Sequence, residues 1–479
     1  MKKGFTLIEL LAVIVILAII ALIATPIVLD IIEDSKESSN IQSINSLVDM
    51  AEMYATTNES TGNLYDKVID KIKGTKPDNG TIYVNKKGEV ALALKYNNKC
   101  YVKAYDSNKI TQSKDENCIV PVDYLMVVDE TSKDDVAAFG GPIKRKEVER
   151  IITVSTNEVP VDVIGSFDVS ENQNRSIMAW YKDEDNNGLY ELYIGQDGGV
   201  KANPNSYKLF NYYTNVVSMD LNNLDTSNVT NMGALFQRCE KLLNLDLSGF
   251  NTTNVTTMRS MFNNCYDLQN INLSSFDTSK ITTMRAMFQN CSSLLYLDVS
   301  NFNTSNVTDM RGMFYALKVN SIDVSNFDTS NVTTMSGMFA MCTNLKTLNL
   351  SNFNTSKVTT MEGMMNYCES LKEINLSSFD TSNVTNMYGM FTACKSLEKI
   401  DLSNFDTSNV VNMQGMFRFT QILKTININK ADFTKVTEYT NMFGESGVTN
   451  ITVKDATAKT FIESRLTDAS ITGVTVTIG

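Results

Sequence analysis

The chain of 479 residues contains no histidine at all. That absence removes Ser-His-Asp and Cys-His nucleophilic catalysis and the commonest metal ligand in one step. Positive charge is also scarce, with 42 Lys and Arg against 54 Asp and Glu and a net charge of −12. A surface for nucleic acid or anionic lipid is therefore not expected, because that affinity comes from Lys and Arg neutralising phosphates. There is one tryptophan, Trp180, which reads as a core anchor. Carboxylate chemistry survives these tests, but most acidic residues fall in repeated, outward positions. The chain is read as a non-enzyme without a cofactor.

What is present begins with an apolar run. From Phe5 to Ala24 only Thr6 and Glu9 are polar, about 20 residues, the length a helix needs to span a bilayer. Lys2 and Lys3 precede it and Asp30, Glu33 and Asp34 follow, which places the body of the protein outside the cytoplasm. A cleaved secretory signal would be shorter and would end in an A-x-A site. Glu9 is the odd residue, because a carboxylate in a spanning helix needs a partner, expected here on a neighbouring chain. Past Pro26, apolar residues recur every three or four positions through Tyr54, so the helix should continue as an amphipathic rod, bent at Pro26 and stopped at 58–62.

Lys2-Lys3-Gly4 followed by Phe5-Thr6-Leu7-Ile8-Glu9 resembles the prepilin signature of type IV pilins and the related pseudopilins of type II secretion. The resemblance implies cleavage by prepilin peptidase between Gly4 and Phe5 and N-methylation of Phe5. It also implies assembly with other pilin subunits through Glu9, which pairs with the N-terminal amine of a neighbour, and a helix kink at Pro26. Residues 80–106 read as three strands, TIYV, EVALALKY and KCYVKAY, joined by NKKG and NN turns. A long helix with a small antiparallel meander is again similar to a pilin head. Cys100 and Cys118 stand 18 positions apart in a segment expected outside the cytoplasm, where a disulfide is permitted.

In the stretch 121–215, Asp183, Asp185, Asn187 and Gly188 match the first half of a calcium-binding EF-hand loop. The second half fails, since Ile194 stands where a bidentate Glu is required, although Glu191 occupies the place of a water-mediated ligand. A tight acidic turn between two strands is the better account. The stretch resembles the segment that precedes the repeats in BspA-like surface proteins, where it would shield the first repeat.

From about residue 216 the chain repeats itself. Val229, Val255, Ile281, Val307, Val332, Val358, Val384, Val410 and Val436 mark nine units at steps of 26, with a single step of 25. That period indicates a solenoid, each unit adding one short strand to a parallel sheet. The DTSNVTxMxxMFxxC phrasing resembles BspA-like leucine-rich repeats of bacterial surface proteins. The Met-Phe column reads as core. The column Cys239, Cys265, Cys291, Cys342, Cys368 and Cys394 reads as an apolar slot, since one unit carries Leu317 there. The Asp/Asn column (Asp220, Asp246, Asn272, Asp298, Asp323, Asn349, Asn375, Asp401, Asn427) should face solvent as a diluted polar ladder that blocks edge association, with a cation or carbohydrate surface as the alternative. Ligand choice is expected where the repeat varies. Arg259, Arg285 and Arg311 form a basic stripe, and with Tyr296, Glu373 and Lys399 they are expected to share one recognition surface; a solvated flank with Arg paired to a nearby Asp is the plain alternative.

The expected class is α+β: a leader at 1–4, an assembly helix at 5–57, a pilin-like head at 58–120, a connector and cap at 121–215, leucine-rich repeats at 216–447 and a closing cap at 448–479. No sorting motif or second apolar helix follows, so the N-terminus is the expected attachment. The expected function is display of the repeats outside a bacterial cell by a minor pilin, for adhesion to an extracellular protein or carbohydrate. The chain would sit once through the cytoplasmic membrane before assembly and would then be exposed at the surface or on a pilus. Alternatives are a pseudopilin of a secretion or DNA-uptake machine and a membrane-tethered receptor that does not polymerise.

Overall fold

The computed structural model describes residues 7–58, 60–105, 107–113, 118, 120, 123–126 and 133–479; in the first helix the side chains at 7–10, 12, 19–21, 23–27, 30 and 31 are not among those described. The leader, with Gly4 and Phe5, and the side chains of Glu9 and Pro26 lie outside the described residues. The fold is mixed α/β and divides into two compact units, residues 1–123 with 172–176, and residues 124–171 with 177–479.

In the first unit, α1 (Leu7–Asn58) runs as one helix through position 26. Among the described residues no helix is long and apolar enough to cross a membrane. The described side chains Leu11, Ile14, Leu17, Leu22 and Leu29 are exposed, whereas Ile44, Leu47 and Ala51, further along, are buried. These inner residues share one face by their spacing of three and four, and that face packs on a five-stranded antiparallel sheet. The strands are β1 (Gly62–Asn63), β2 (Asn79–Val84), β3 (Val90–Tyr96), β4 (Lys99–Lys103) and β5 (Thr111–Ser113), paired in chain order, with the single turn α2 (Tyr65–Val68) between the first two. Asn97 and Asn98 join β3 to β4 with φ of 49° and 63°. Two successive left-handed residues make the hairpin turn whose twist suits its strands, and asparagine tolerates that geometry. Cys100 and Cys118 are disulfide-bonded, with Cα atoms 5.3 Å apart. Lys99 bonds Glu33 of α1 at 2.6 Å.

The second unit opens with β6 (Val148–Val154), β7 (Gly165–Asp168), β8 (Ile177–Lys182) and β9 (Tyr190–Gln196). Next come β10 (Val200–Lys201), β11 (Ser218–Asp220), β12 (Leu224–Asp225), β13 (Asn244–Asp246) and β14 (Asn270–Asn272). Seven of these strands form one sheet in the order β14, β13, β11, β6, β9, β8, β7, and β10 pairs separately with β12. The parallel pairing of β6 with β11 means that the segment before the repeats supplies the strand against which the first repeat stacks. Trp180 on β8 is buried and its ring stacks on Tyr193 at 5.9 Å.

Each repeat makes one turn of chain stacked on the next. Strand contacts continue in parallel through Ser321 and Thr347 and through Asn349 and Asn375 to β15 (Lys399–Asp401), β16 (Thr425–Ile428), β17 (Asn450–Val453) and β18 (Thr475–Ile478). Besides this strand row, a second row of parallel bridges runs from Asn205 through Asn231, Thr257, Thr283, Asp309, Thr334, Thr360, Asn386 and Asn412 to Glu438. Two rows follow from a turn that doubles back on itself, with the Met and Phe side chains enclosed between them. Phe210, Phe236, Phe262, Phe288, Phe314 and Phe339 stack in register at centroid separations of 5.5 to 6.1 Å. The turn after the second row needs a left-handed residue, which is Gly312, Gly337, Gly363, Gly389 and Gly415 in the later repeats (φ 56–63°) but Ala234, Ser260 and Ala286 in the earlier ones. Helix α3 (Ala456–Asp468) follows the last repeat. The Asp455 side chain caps it by accepting the Ala458 N–H at 2.9 Å, and Ala458, Ile462 and Leu466 are buried.

Candidate recognition surfaces on the repeat stack

The polar columns of the repeat are mostly committed to the fold. Each residue of the Asp/Asn column accepts the backbone N–H of the residue two places on, from Ser248 to Asp246 at 3.0 Å, Ser274 to Asn272 at 3.1 Å and Ser300 to Asp298 at 2.9 Å. Either residue type serves, because the turn needs only a short side-chain oxygen. The column faces solvent, as expected, and in addition each of its side chains caps a turn. The same device recurs five positions later, at Asp225, Asn251, Asp277 and their equivalents. Bonds from the following serine's N–H and hydroxyl hold Asp246, Asp277, Asp298, Asp323, Asp328 and Asp380 below the usual carboxylate range.

The threonine of D-T-S-N, whose bonding the sequence pattern did not reveal, is buried in the first eight repeats, and the ninth carries Phe433 there. Thr252 donates to the carbonyl of Asp277 at 3.0 Å and accepts its N–H at 2.8 Å. Thr226, Thr278 and Thr355 make the same reciprocal pair. Recurrence of Thr through the first eight repeats was the available signal. The cysteine slot is likewise more than apolar, since the thiols of Cys239, Cys265, Cys291, Cys342 and Cys368 each donate to a phenylalanine carbonyl of the adjoining repeat at 3.1 Å. All six cysteines of this column are buried and unlinked, and burial pushes Cys265 and Cys342 up to about 12.

The variable residues divide between two faces. Arg259, Arg285 and Arg311 follow Thr257, Thr283 and Asp309 of the second bridge row by two positions each, so they stack in one register. Arg311 clasps its neighbour Asp309, with Nη2 at 2.6 Å and Nε at 3.0 Å. Burial would raise Asp309, but the Arg311 bonds outweigh it and hold the carboxyl low. Arg285 is half-buried, and burial together with the guanidiniums of Arg311 and Arg259 lowers its pKa. Among the described residues neither Arg259 nor Arg285 forms an ion pair, whereas Arg311 does.

A groove of about 840 Å³ opens from Arg311 across Ser336 and Glu362 to Tyr388. A separate groove of about 830 Å³ lies on the strand row and includes Asp323, Glu373, Lys399 and Asp401. The two linings share no residue, and Tyr296, 70 % exposed, belongs to neither. A single surface joining the arginines to Tyr296, Glu373 and Lys399 is therefore corrected to two surfaces, because one turn of chain presents its two contact rows in different directions.

The acidic loop 183–189 joins β8 to β9 as a turn. Asp183 accepts the N–H groups of Asn187 and Gly188 at 3.0 and 3.1 Å, Asp185 accepts from Asn187 at 3.2 Å, and Glu191 accepts the Glu184 N–H at 3.0 Å. The loop's carboxylates thus bond its own backbone. Among the described residues no group of three or more acidic, cysteine or histidine side chains is placed to hold a metal ion.

The repeats match, over residues 205–297, 293–374 and 340–456, the family described as Mycoplasma protein of unknown function, DUF285. The chain belongs to this family. Its matches run from the first residue of the second bridge row to the start of α3, and so take in both grooves and the arginine stripe. Residues 1–25 match the prokaryotic N-terminal methylation motif, which is type IV pilin-like. Neither a curated protein nor a solved structure matches the chain.

Proposed function

We propose that the chain is a pilin-like subunit that displays a leucine-rich-repeat solenoid on the outside of a bacterial cell for adhesion or recognition, without catalysis. In this reading prepilin peptidase cuts between Gly4 and Phe5, Phe5 is N-methylated, and Glu9 pairs with the N-terminal amine of a neighbouring subunit. The observation that carries the reading is the join of a methylation motif to a helix whose described apolar side chains between Leu11 and Ile32 are left exposed. Leaving so much apolar surface in water is unfavourable by roughly 25 cal/mol per Å². A bilayer, and then the helices of other subunits, would cover it. The repeats supply the cargo, with no histidine, no cluster suited to a metal among the described residues, and two open grooves. A cargo of about 350 residues behind a pilin of about 120 suits a minor subunit better than the shaft of a filament.

The test combines mass spectrometry of the mature N-terminus with antibody labelling of the repeats on intact cells. The expected result is an N-methylated Phe5 and surface label. A chain that retains Met1, or repeats that antibodies reach only after the envelope is opened, would overturn it. Glu9→Ala separates a pilin from a tethered receptor, since filament incorporation should be lost while membrane insertion is kept.

A further inference from the structure

We propose that the face along the second bridge row binds an acidic polysaccharide, with its anionic groups on Arg259 and Arg285 and its sugar rings running from Arg311 along the adjoining hydroxyl-lined groove to Tyr388. The proposal rests on the recognition reading above and names its ligand class.

Charge is the first argument. The chain has net charge −12, yet three guanidiniums stand at successive repeats on one face, about 4.8 Å apart. Asp309 forms its ion pair with Arg311, and only its more distant charge reaches Arg285. Arg285 is partly buried, and it lies between two like charges. A cation in that position gains from an anion that a fully hydrated surface arginine would not hold.

The second argument is the floor. Thr334, Ser336 and Thr360 bring their hydroxyls together at 3.1 and 3.5 Å. The groove also passes Gly337 and Gly363, which project no side chain into it. Hydroxyls that both donate and accept suit a ligand made of hydroxyls. Tyr388, 39 % exposed, lines the far end. Glu362 lies between, bonded by Asn386 at 3.2 Å. Its charge repels anions there and so confines the ligand's acidic groups to the arginine end.

Length and backbone decide the class. Residues 259, 285, 311, 336, 362 and 388 occupy one register, so the row extends about 24 Å over five steps, which suits a linear polymer. A peptide strand would need a free main-chain edge. Here the N–H groups of Thr308, Thr333 and Thr359 already bond the carbonyls of Thr282, Thr308 and Thr333 at 2.9 Å.

The test is binding of the full-length chain in detergent micelles to dextran sulfate, polygalacturonate, uncharged dextran and poly-glutamate at physiological salt. The first two probes separate sulfate from carboxylate recognition. At least one should bind, and the variant Arg259→Ser/Arg285→Ser/Arg311→Ser should lose about tenfold in affinity, or about 1.4 kcal/mol. Arg285→Gln and Tyr388→Ala should each lose about threefold. Lys318→Ser/Lys346→Ser/Lys372→Ser, which removes the same charge elsewhere, should bind as the parent does. A thermal melt checks that the arginine variant is folded, and Arg285→Gln alone serves if it is not. Failure of both acidic polysaccharides to bind, indifference to the arginine changes, or equal binding of poly-glutamate overturns the proposal. Surface labelling of cells is independent of these measurements, so a displayed protein that binds no acidic glycan sinks only this inference. A glycan-binding chain confined within the envelope sinks only the adhesin reading.

Discussion

The hydroxyl of Thr252 bonds the main chain of one residue twice, donating to the Asp277 carbonyl at 3.0 Å and accepting the Asp277 N–H at 2.8 Å. The threonine is 1 % exposed, so water cannot replace it. Thr252→Val keeps the shape and removes both bonds, leaving a buried donor and acceptor without a partner at a cost of about 1–3 kcal/mol each. Thr252→Ser keeps both bonds and should cost only about 1 kcal/mol for the lost methyl. Urea unfolding of the two variants checks this ordering. Equal loss in both would mean that packing rather than bonding holds the position.

The six free thiols offer a probe of the repeat core. Burial raises all of them, and each donates to a main-chain carbonyl of the adjoining repeat. A thiol reagent attacks the thiolate, which these sites disfavour and shield. At neutral pH the native protein should therefore show no rapid labelling of this column, and denaturant should release six reactive thiols. Labelling of any of them in the native state on the timescale of a free thiol would contradict the packing.

The capped aspartates make stability pH-dependent in a stated direction. Asp246, Asp277, Asp298, Asp323, Asp328, Asp380 and Asp432 have native pKa values below their ordinary value because the next Ser or Thr but one bonds the charged form. A lowered native pKa means that the unfolded chain binds protons more readily. The contribution is complete above the unfolded value of about 3.9 and is lost as pH falls through the lower native values. The melting temperature should hold between pH 7 and 5 and drop steeply below about 4. Asn occupies the same column in neighbouring repeats and caps the same turn, so Asp298→Asn with Asp323→Asn should leave Tm at pH 7 nearly unchanged and make the acid limb shallower.

Much of this was legible from the residues. The repeat declares itself because every turn of chain must offer the same core slots, so Val, Met and Phe return at steps of 26. The Asn97-Asn98 turn was legible because two left-handed residues are needed there. Alternation along a strand told that Asp298 faces away from Leu297 and Val299, but not that its oxygen is taken by Ser300. The bonding of Thr252 was hidden for the same reason. Arg285 and Tyr296 lie eleven positions apart in one repeat, and register gives a place along the turn without the direction it faces. Only the doubled contact row shows that Arg285 follows the second row of bridges, whereas Tyr296 stands in register with the strand row.

The bridge between Cys100 and Cys118 ties β4 to the segment after β5 across 18 positions. Closing a loop of that length restricts the unfolded chain by roughly 3 kcal/mol in the chain-entropy model. The core it protects is small, one helix face on five short strands, so the loss should be felt there in full. The six buried cysteines of the repeats carry no disulfide and have nothing to lose to a reductant. Adding reductant should therefore speed hydrogen exchange in β3 and β4 while the protected amides of the Phe236 to Phe339 stack keep their rates. Cys100→Ser/Cys118→Ser should do the same without reductant. Equal loosening of both regions would show that the first unit and the repeats unfold together, and unchanged exchange in β3 and β4 would show that the helix and sheet hold without the bridge.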